Sequence, residues 1–173
     1  SKRRSGKAPS LILIPNESQL SSVAQDVAEV ASALIQAFWP GPLTLVVHPN
    51  ASLPSKVLKL IGEKKPARIG VRVPGHGFQQ ELVMRFGGPL LISSANLSQK
   101  VGAGSASNVR KNFNHTVDLM FDVGDIPEKA PSTIVDLTRE PPTLIREGKI
   151  PASQVMDVLQ SATHGGETKS EDD

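Results

Sequence analysis

The chain has 173 residues, with 19 Lys and Arg against 17 Asp and Glu, 38% apolar residues, five Phe, one Trp, and neither Tyr nor Cys. That length suits one domain; the lack of cysteine excludes disulfides and thiolate metal sites and fits a reducing compartment. Scarce aromatic rings argue against a stacking platform for single-stranded nucleic acid, and no stretch is long and apolar enough to cross a bilayer.

Lys2, Arg3, Arg4 and Lys7 crowd the start, while Glu167, Glu171, Asp172 and Asp173 load the end. The expected division is one domain over residues 1–162 and a disordered acidic tail over 163–173. The folded part is then more basic than the net charge of +2 suggests, and an anionic small molecule or RNA is the expected partner. "SLILI" (Ser10 to Ile14), bounded by Pro9 and Pro15, reads as a buried strand. "SSVAQDVAEVASALIQAFW" carries apolar residues at helical spacing, with Ser21 or Ser22 as cap and Pro40-Gly41-Pro42 as stop. A strand follows at Leu43 to Val47, then a short helix in "SKVLKLIG", a strand at Arg68 to Val73 and a helix in "GFQQELVMRFGG". "PLLIS" is the next strand, "SASNVRKNF" a helix capped by Ser105, and "VDLMFD" a strand. "STIVDL" and "PTLIRE" are two strands with no helix between them, and "PASQVMDVLQSA" is a closing helix with Pro151 near its first position. This alternation predicts an α/β domain whose twisted, mixed β-sheet is flanked by helices.

Chemistry-bearing residues follow from this order. Arg72 stands among Val and Ile in a strand and Arg146 ends the last one; a cation there is costly unless it meets an anion or several acceptors. The acceptor is either a ligand or one of Asp122, Asp125 and Asp136. Ser94 and Asn96 follow a strand end, where open α/β sheets place their crevice, and Ser132 begins a strand; such residues also serve as ordinary turn formers. Neither a phosphate-binding glycine loop nor a GxSxG nucleophile elbow occurs, and the four histidines lack metal-ligand spacing. Cations and neutral donors without a nucleophile suit phosphoryl or nucleotidyl transfer.

Five motifs in order resemble one family. "SKRRSGKAP" before "LILI" looks like the KxR segment of the YrdC-like domain. "WPGPLTLVV", "IGVRVPGH", "ISSANLS" and "PSTIVDLTREPPTLIREGKI" resemble its later signatures, so that the likeness runs from Lys2 to Ile150. The chain is thereby similar to threonylcarbamoyl-AMP synthases. The resemblance implies condensation of L-threonine, bicarbonate and ATP to threonylcarbamoyl-adenylate and pyrophosphate, feeding a tRNA threonylcarbamoyladenosine modification. By the same resemblance Lys2 and Arg4 are catalytic cations, and Arg4, Lys7, Asn96 and Arg146 bind ATP. Arg72, Ser94 and Ser132 bind L-threonine. Mg2+ is carried by the triphosphate, with no dedicated protein metal site. A downstream threonylcarbamoyl transferase complex is the implied partner, and the location is cytoplasmic or organellar. The family's PTxTxYGL-like opening segment is missing here, so the chain is expected to be cut from a longer protein, with any targeting signal upstream and with activity dependent on the missing part. The residues after Asn96 (Ser98-Gln99, then Lys100 to Ser105) also depart from the family pattern. Two other readings stand beside this one: a basic-cavity module binding double-stranded RNA or tRNA, and a carbamoyl-adenylate-forming domain of a carbamoyltransferase.

Overall fold

Short apolar runs punctuated by proline and glycine become strands. The computed structural model describes residues 10–61, 67–93, 106–125 and 130–164. In chain order its strands are β1 (Ser10–Leu13), β2 (Ala24–Gln25), β3 (Leu43–Pro49), β4 (Ile69–Arg72), β5 (Leu90–Ile92), β6 (Thr133–Asp136) and β7 (Thr143–Arg146). The helices are α1 (Leu20–Val23), α2 (Ala31–Phe38), α3 (Ser55–Ile61), α4 (Phe78–Phe86), α5 (Ala106–Phe113) and α6 (Ala152–His164). The sheet order is β5-β1-β4-β3-β6-β7, with β2 paired to β3. Pairs β1–β4 and β3–β6 run parallel; β1–β5, β3–β4, β6–β7 and β2–β3 run antiparallel. This is the mixed α/β sheet expected, with β6 and β7 as the helix-free pair.

The described residues fall into two compact units. The larger holds the whole sheet. Side chains alternate across a strand, so register sorts its two faces. Leu45 lies opposite both Val71 and Val135, and these join Ile12, Leu34, Ile35, Val155 and Leu159 in one apolar cluster backed by α2 and α6. Val46 lies opposite Gly70 and Asp136, which places it with Thr44, Arg72 and Ile134 on the other face. Ile134 is opposite Arg146 across a register irregularity, so Arg146 belongs to that second face too. One face is oil; the other is mixed.

Two expectations fail. The long helix read from Ser21 to Trp39 is broken: α1 ends at Val23, and Ala24 and Gln25 pair with Pro49 and His48 of β3. Asp26 then takes a left-handed backbone (φ 50), which no α-helix continues through. Burial of Val23 and Ala24 against the core overrides the local helical spacing, and Ser22 bonds the Gln19 carbonyl without capping a long helix. The strand read at 117–122 is also absent. Val117, Leu119, Phe121 and Val123 alternate as a strand would, yet all are exposed and no described strand pairs with them. Alternation sets a period, but a strand exists only with a ladder partner.

That segment belongs to the smaller unit, which among the described residues comprises 93, 106–125 and 130. There the Ala106 amide at the start of α5 donates to Asp125 Oδ1 at 2.6 Å, so a distant carboxylate caps the helix; Ser105 lies outside the described residues. The Gly124 amide and then Arg110 hold the Asp122 carboxyl below its usual range. In the larger unit, α6 runs on to His164, into the region expected as tail; residues 165–173 lie outside the description.

One buried hydroxyl ties the last turn to β6. Thr133, fully buried, donates to the Ile150 carbonyl at 2.7 Å and accepts from the amides of Gly148 and Ile150, each at 3.0 Å. Thr133→Val strands the buried Ile150 amide and carbonyl, each costing ~1–3 kcal/mol, and frees a half-buried Gly148 amide that water can reach. Urea unfolding is expected to show a loss of about 2–4 kcal/mol, with Thr133→Ser much milder; an unchanged midpoint for Thr133→Val would contradict the latch.

Candidate active site

The start of β3, the end of β4, the start of β6 and the end of β7 lie at one end of the sheet, as their registers require. The Pro40-Gly41-Pro42 stop that terminates α2 fastens this end. Its Gly41 amide donates to the Val73 carbonyl at 3.0 Å, and its Pro42 carbonyl accepts from the Thr133 amide at 2.9 Å. The Trp39 indole donates to the Leu43 carbonyl at 2.8 Å. One proline-rich turn thus links the exit of β4, the entry of β3 and the entry of β6.

On the mixed face at this end stand Thr44, Ser132 and Arg146. The Arg146 guanidinium donates through Nε and Nη2 to the Ser132 carbonyl at 3.1 and 2.8 Å, and through Nη2 to Ser132 Oγ at 3.3 Å. The Ser132 and Thr44 hydroxyls are 2.9 Å apart. Glycine makes two of these approaches possible. A Cβ at Gly70 would lie 2.9 Å from Thr44 Cγ2, and one at Gly148 only 2.2 Å from the Pro131 carbonyl oxygen and 2.6 Å from the Ser132 carbonyl carbon. The chain before β6 is therefore clamped against the turn after β7.

Arg72 ends β4 on the same face. Its Nη2 donates to Gln79 Oε1 of α4 at 2.9 Å, while its buried Nε has no partner among the described residues. Burial lowers the pKa of this guanidinium from its ordinary value, since desolvation penalises the charged form. A desolvated cation with an unused donor is a place for an anion.

The carboxylates considered as partners for these arginines are engaged elsewhere. Asp136, buried, accepts from Arg68 at 2.9 Å and from the Thr138 amide and hydroxyl at 3.0 and 2.6 Å, with Arg139 at 3.4 Å. Asp122 pairs with Arg110, and Asp125 takes the Ala106 amide. Of the site residues read from sequence, the structure joins Ser132 to Arg146 and sets Arg72 on their face. Lys2, Arg4, Lys7, Ser94 and Asn96 lie outside the described residues. Sequence reasoning missed Thr44, Gln79 and Gly148; Thr44 had one legible signal, a hydroxyl set between Leu43 and Leu45 in an otherwise apolar strand. Among the described residues no group of three His, Asp or Glu could hold a metal ion, and no helix is long and apolar enough to cross a membrane. Guanidinium groups and hydroxyls are fitted to bind carboxylate and phosphate oxygens and to neutralise charge.

A family model for Sua5/YciO/YrdC, described as "Telomere recombination", matches residues 1–148. The chain belongs to the Sua5/YciO/YrdC family. Within it, the chain is 32% identical over 158 residues to a threonylcarbamoyl-AMP synthase of Pyrococcus abyssi, covering 91% of this chain and 45% of that relative. It is 29% identical over 160 residues to a threonylcarbamoyl-AMP synthase of Bacillus subtilis, covering 91% of this chain and 44% of that relative. In structure it is similar to P. abyssi Sua5 crystallised with L-threonine, with a TM-score of 0.74, 32% identity, and coverage of 90% of this chain and 44% of that one. The chain thus spans less than half the length of these relatives. The α/β sheet read from sequence is the Sua5/YciO/YrdC fold, and the relatives' names do not favour the RNA-binding or carbamoyltransferase readings.

Proposed function

We propose that this chain forms the synthase domain of a threonylcarbamoyl-AMP synthase, a nucleotidyltransferase that condenses L-threonine, bicarbonate and ATP to threonylcarbamoyl-adenylate and pyrophosphate. The observation that carries the reading is Arg72: a half-buried guanidinium whose buried Nε is unused among the described residues, sharing one sheet face with Ser132 and Arg146, in a chain similar to a protein solved with L-threonine. Arg72 receives the amino-acid carboxylate, a fork-shaped task for which guanidinium is suited, and Ser132 and Ser94 also serve the amino acid. Arg146, Arg4, Lys7 and Asn96 hold the nucleotide, and Lys2 with Arg4 offsets charge gathering on the phosphate. The threonine amine and bicarbonate form a carbamate with loss of water; a carbamate oxygen attacks the α-phosphorus, and pyrophosphate leaves. Fixed cations stabilise the charge that builds on the phosphate oxygens. Magnesium enters on the triphosphate, held by phosphate oxygens; the described site side chains are donors to such oxygens and not metal ligands. The product passes to a threonylcarbamoyl transferase acting on tRNA, in the cytoplasm or an organelle.

Pyrophosphate release, measured with the longest form of the protein, is expected to require L-threonine and bicarbonate together. Turnover indifferent to threonine would refute the assignment. Arg146→Ala is expected to weaken ATP binding about tenfold, as loss of a charge-assisted hydrogen bond does, with circular dichroism unchanged.

A further inference from the structure

Thr44 decides what kind of ligand atom Ser132 can hold. The 2.9 Å separation of their hydroxyls leaves open which one donates. Two facts close the question. Arg146 Nη2 lies 3.3 Å from Ser132 Oγ, and a guanidinium has protons to give but no lone pair to receive one. Thr44 is 3% exposed, and among the described residues its hydroxyl has Ser132 as its hydrogen-bond partner. Were Ser132 the donor, the Thr44 proton would be buried without an acceptor, which native structures avoid. Thr44 therefore donates. Ser132 Oγ then receives protons from Thr44 and from Arg146, both of its lone pairs are used, and its own proton remains for whatever enters the half-buried site.

Gly70 keeps Thr44 in this pose. The Thr44 methyl fits where Gly70 has no side chain, since a Cβ there would sit 2.9 Å from Cγ2; this restricts the β-branched side chain at χ1 and aims Oγ1 at Ser132. On this geometry, and building on the proposed synthase reading, we infer that Thr44 is a positioning residue: it polarises Ser132 into an obligate donor, so the ligand atom bound there is an acceptor, a carboxylate or carbamate oxygen of the amino-acid substrate, and not its ammonium group.

The test is a double-mutant cycle read by calorimetric titration of L-threonine. Thr44→Val, which removes the hydroxyl and keeps the shape, is expected to weaken threonine binding about fivefold, the worth of one oriented hydrogen bond. Thr44→Ser retains the donor and stays within about twofold of wild type. In a Ser132→Ala background, Thr44→Val has no further effect, because it acts only through Ser132. ATP affinity stays unchanged in the Thr44 variants. Wild-type affinity in Thr44→Val, or the same fivefold loss repeated in Ser132→Ala, overturns the inference. Failure of the wild type to bind threonine overturns the proposed function instead. In that event the same cycle run by urea unfolding of the unliganded protein decides the Thr44–Ser132 link: about fivefold non-additivity in the unfolding constant upholds it, and additive shifts refute it.

Discussion

Arg72→Lys is expected to raise the KM for L-threonine about 10- to 100-fold while leaving that for ATP nearly unchanged. The charge survives, but the planar fork does not: an ammonium cannot place two parallel donors on one carboxylate. Hydrogen bonds between charged groups are worth ~1.5–3 kcal/mol each, which sets the range. The unliganded fold should respond with the opposite sign. In the free protein Arg72 is desolvated, engages Gln79 through one nitrogen and leaves buried Nε without an acceptor. Arg72→Met removes that liability, so its urea midpoint should equal or exceed that of the wild type. A variant that loses both threonine affinity and stability would show that Arg72 serves the fold and not a ligand.

Gly148→Ala is expected to be the most damaging single methyl in the larger unit. Its Cβ would fall 2.2 Å from the Pro131 carbonyl oxygen and 2.6–2.7 Å from the Ser132 carbonyl group. These are backbone atoms, and no rotamer change can relieve the overlap. Overpacking of this kind costs about 3 kcal/mol, a Tm drop of roughly 6–12 °C for a chain of this size. The same displacement moves the Ser132 carbonyl that accepts both Arg146 donors, so nucleotide affinity should fall in the folded fraction as well. Gly87→Ala meets no neighbouring atom and strains only a left-handed helix cap at φ 76; its cost, about 1 kcal/mol, separates backbone strain from collision. Equal effects of the two substitutions would contradict the clamp.

Fold and site differ in how much of them was written locally. Strands β1, β3 and β4 were legible because each is a short apolar run with proline or glycine at its limits, and α4 because Gly77 and Gly87 bracket it. The break between α1 and α2 was not: residues 23–25 have helical spacing, and only β3, more than twenty residues away, offers them a ladder. The exposed alternation at 117–123 misled for the converse reason, having a strand's period while no described strand pairs with it. Ser132, Arg72 and Arg146 could be singled out as cations and hydroxyls oddly placed in strands. The Thr44 hydroxyl between Leu43 and Leu45 was visible but carried little weight, because a threonine inside a strand is ordinary until register shows which face it joins.

Read alone, the order of residues determined the α/β class, the mixed sheet and the motifs that placed this chain in its family, because apolar period and proline–glycine punctuation act over a few residues. Tertiary structure alone decided that Asp136 belongs to Arg68 and not to Arg72, that Thr44 meets Ser132, and that Gly148 presses on Pro131. Those pairings span 17 to 88 residues of chain, and strand register, which no local pattern encodes, is what brings them within contact distance.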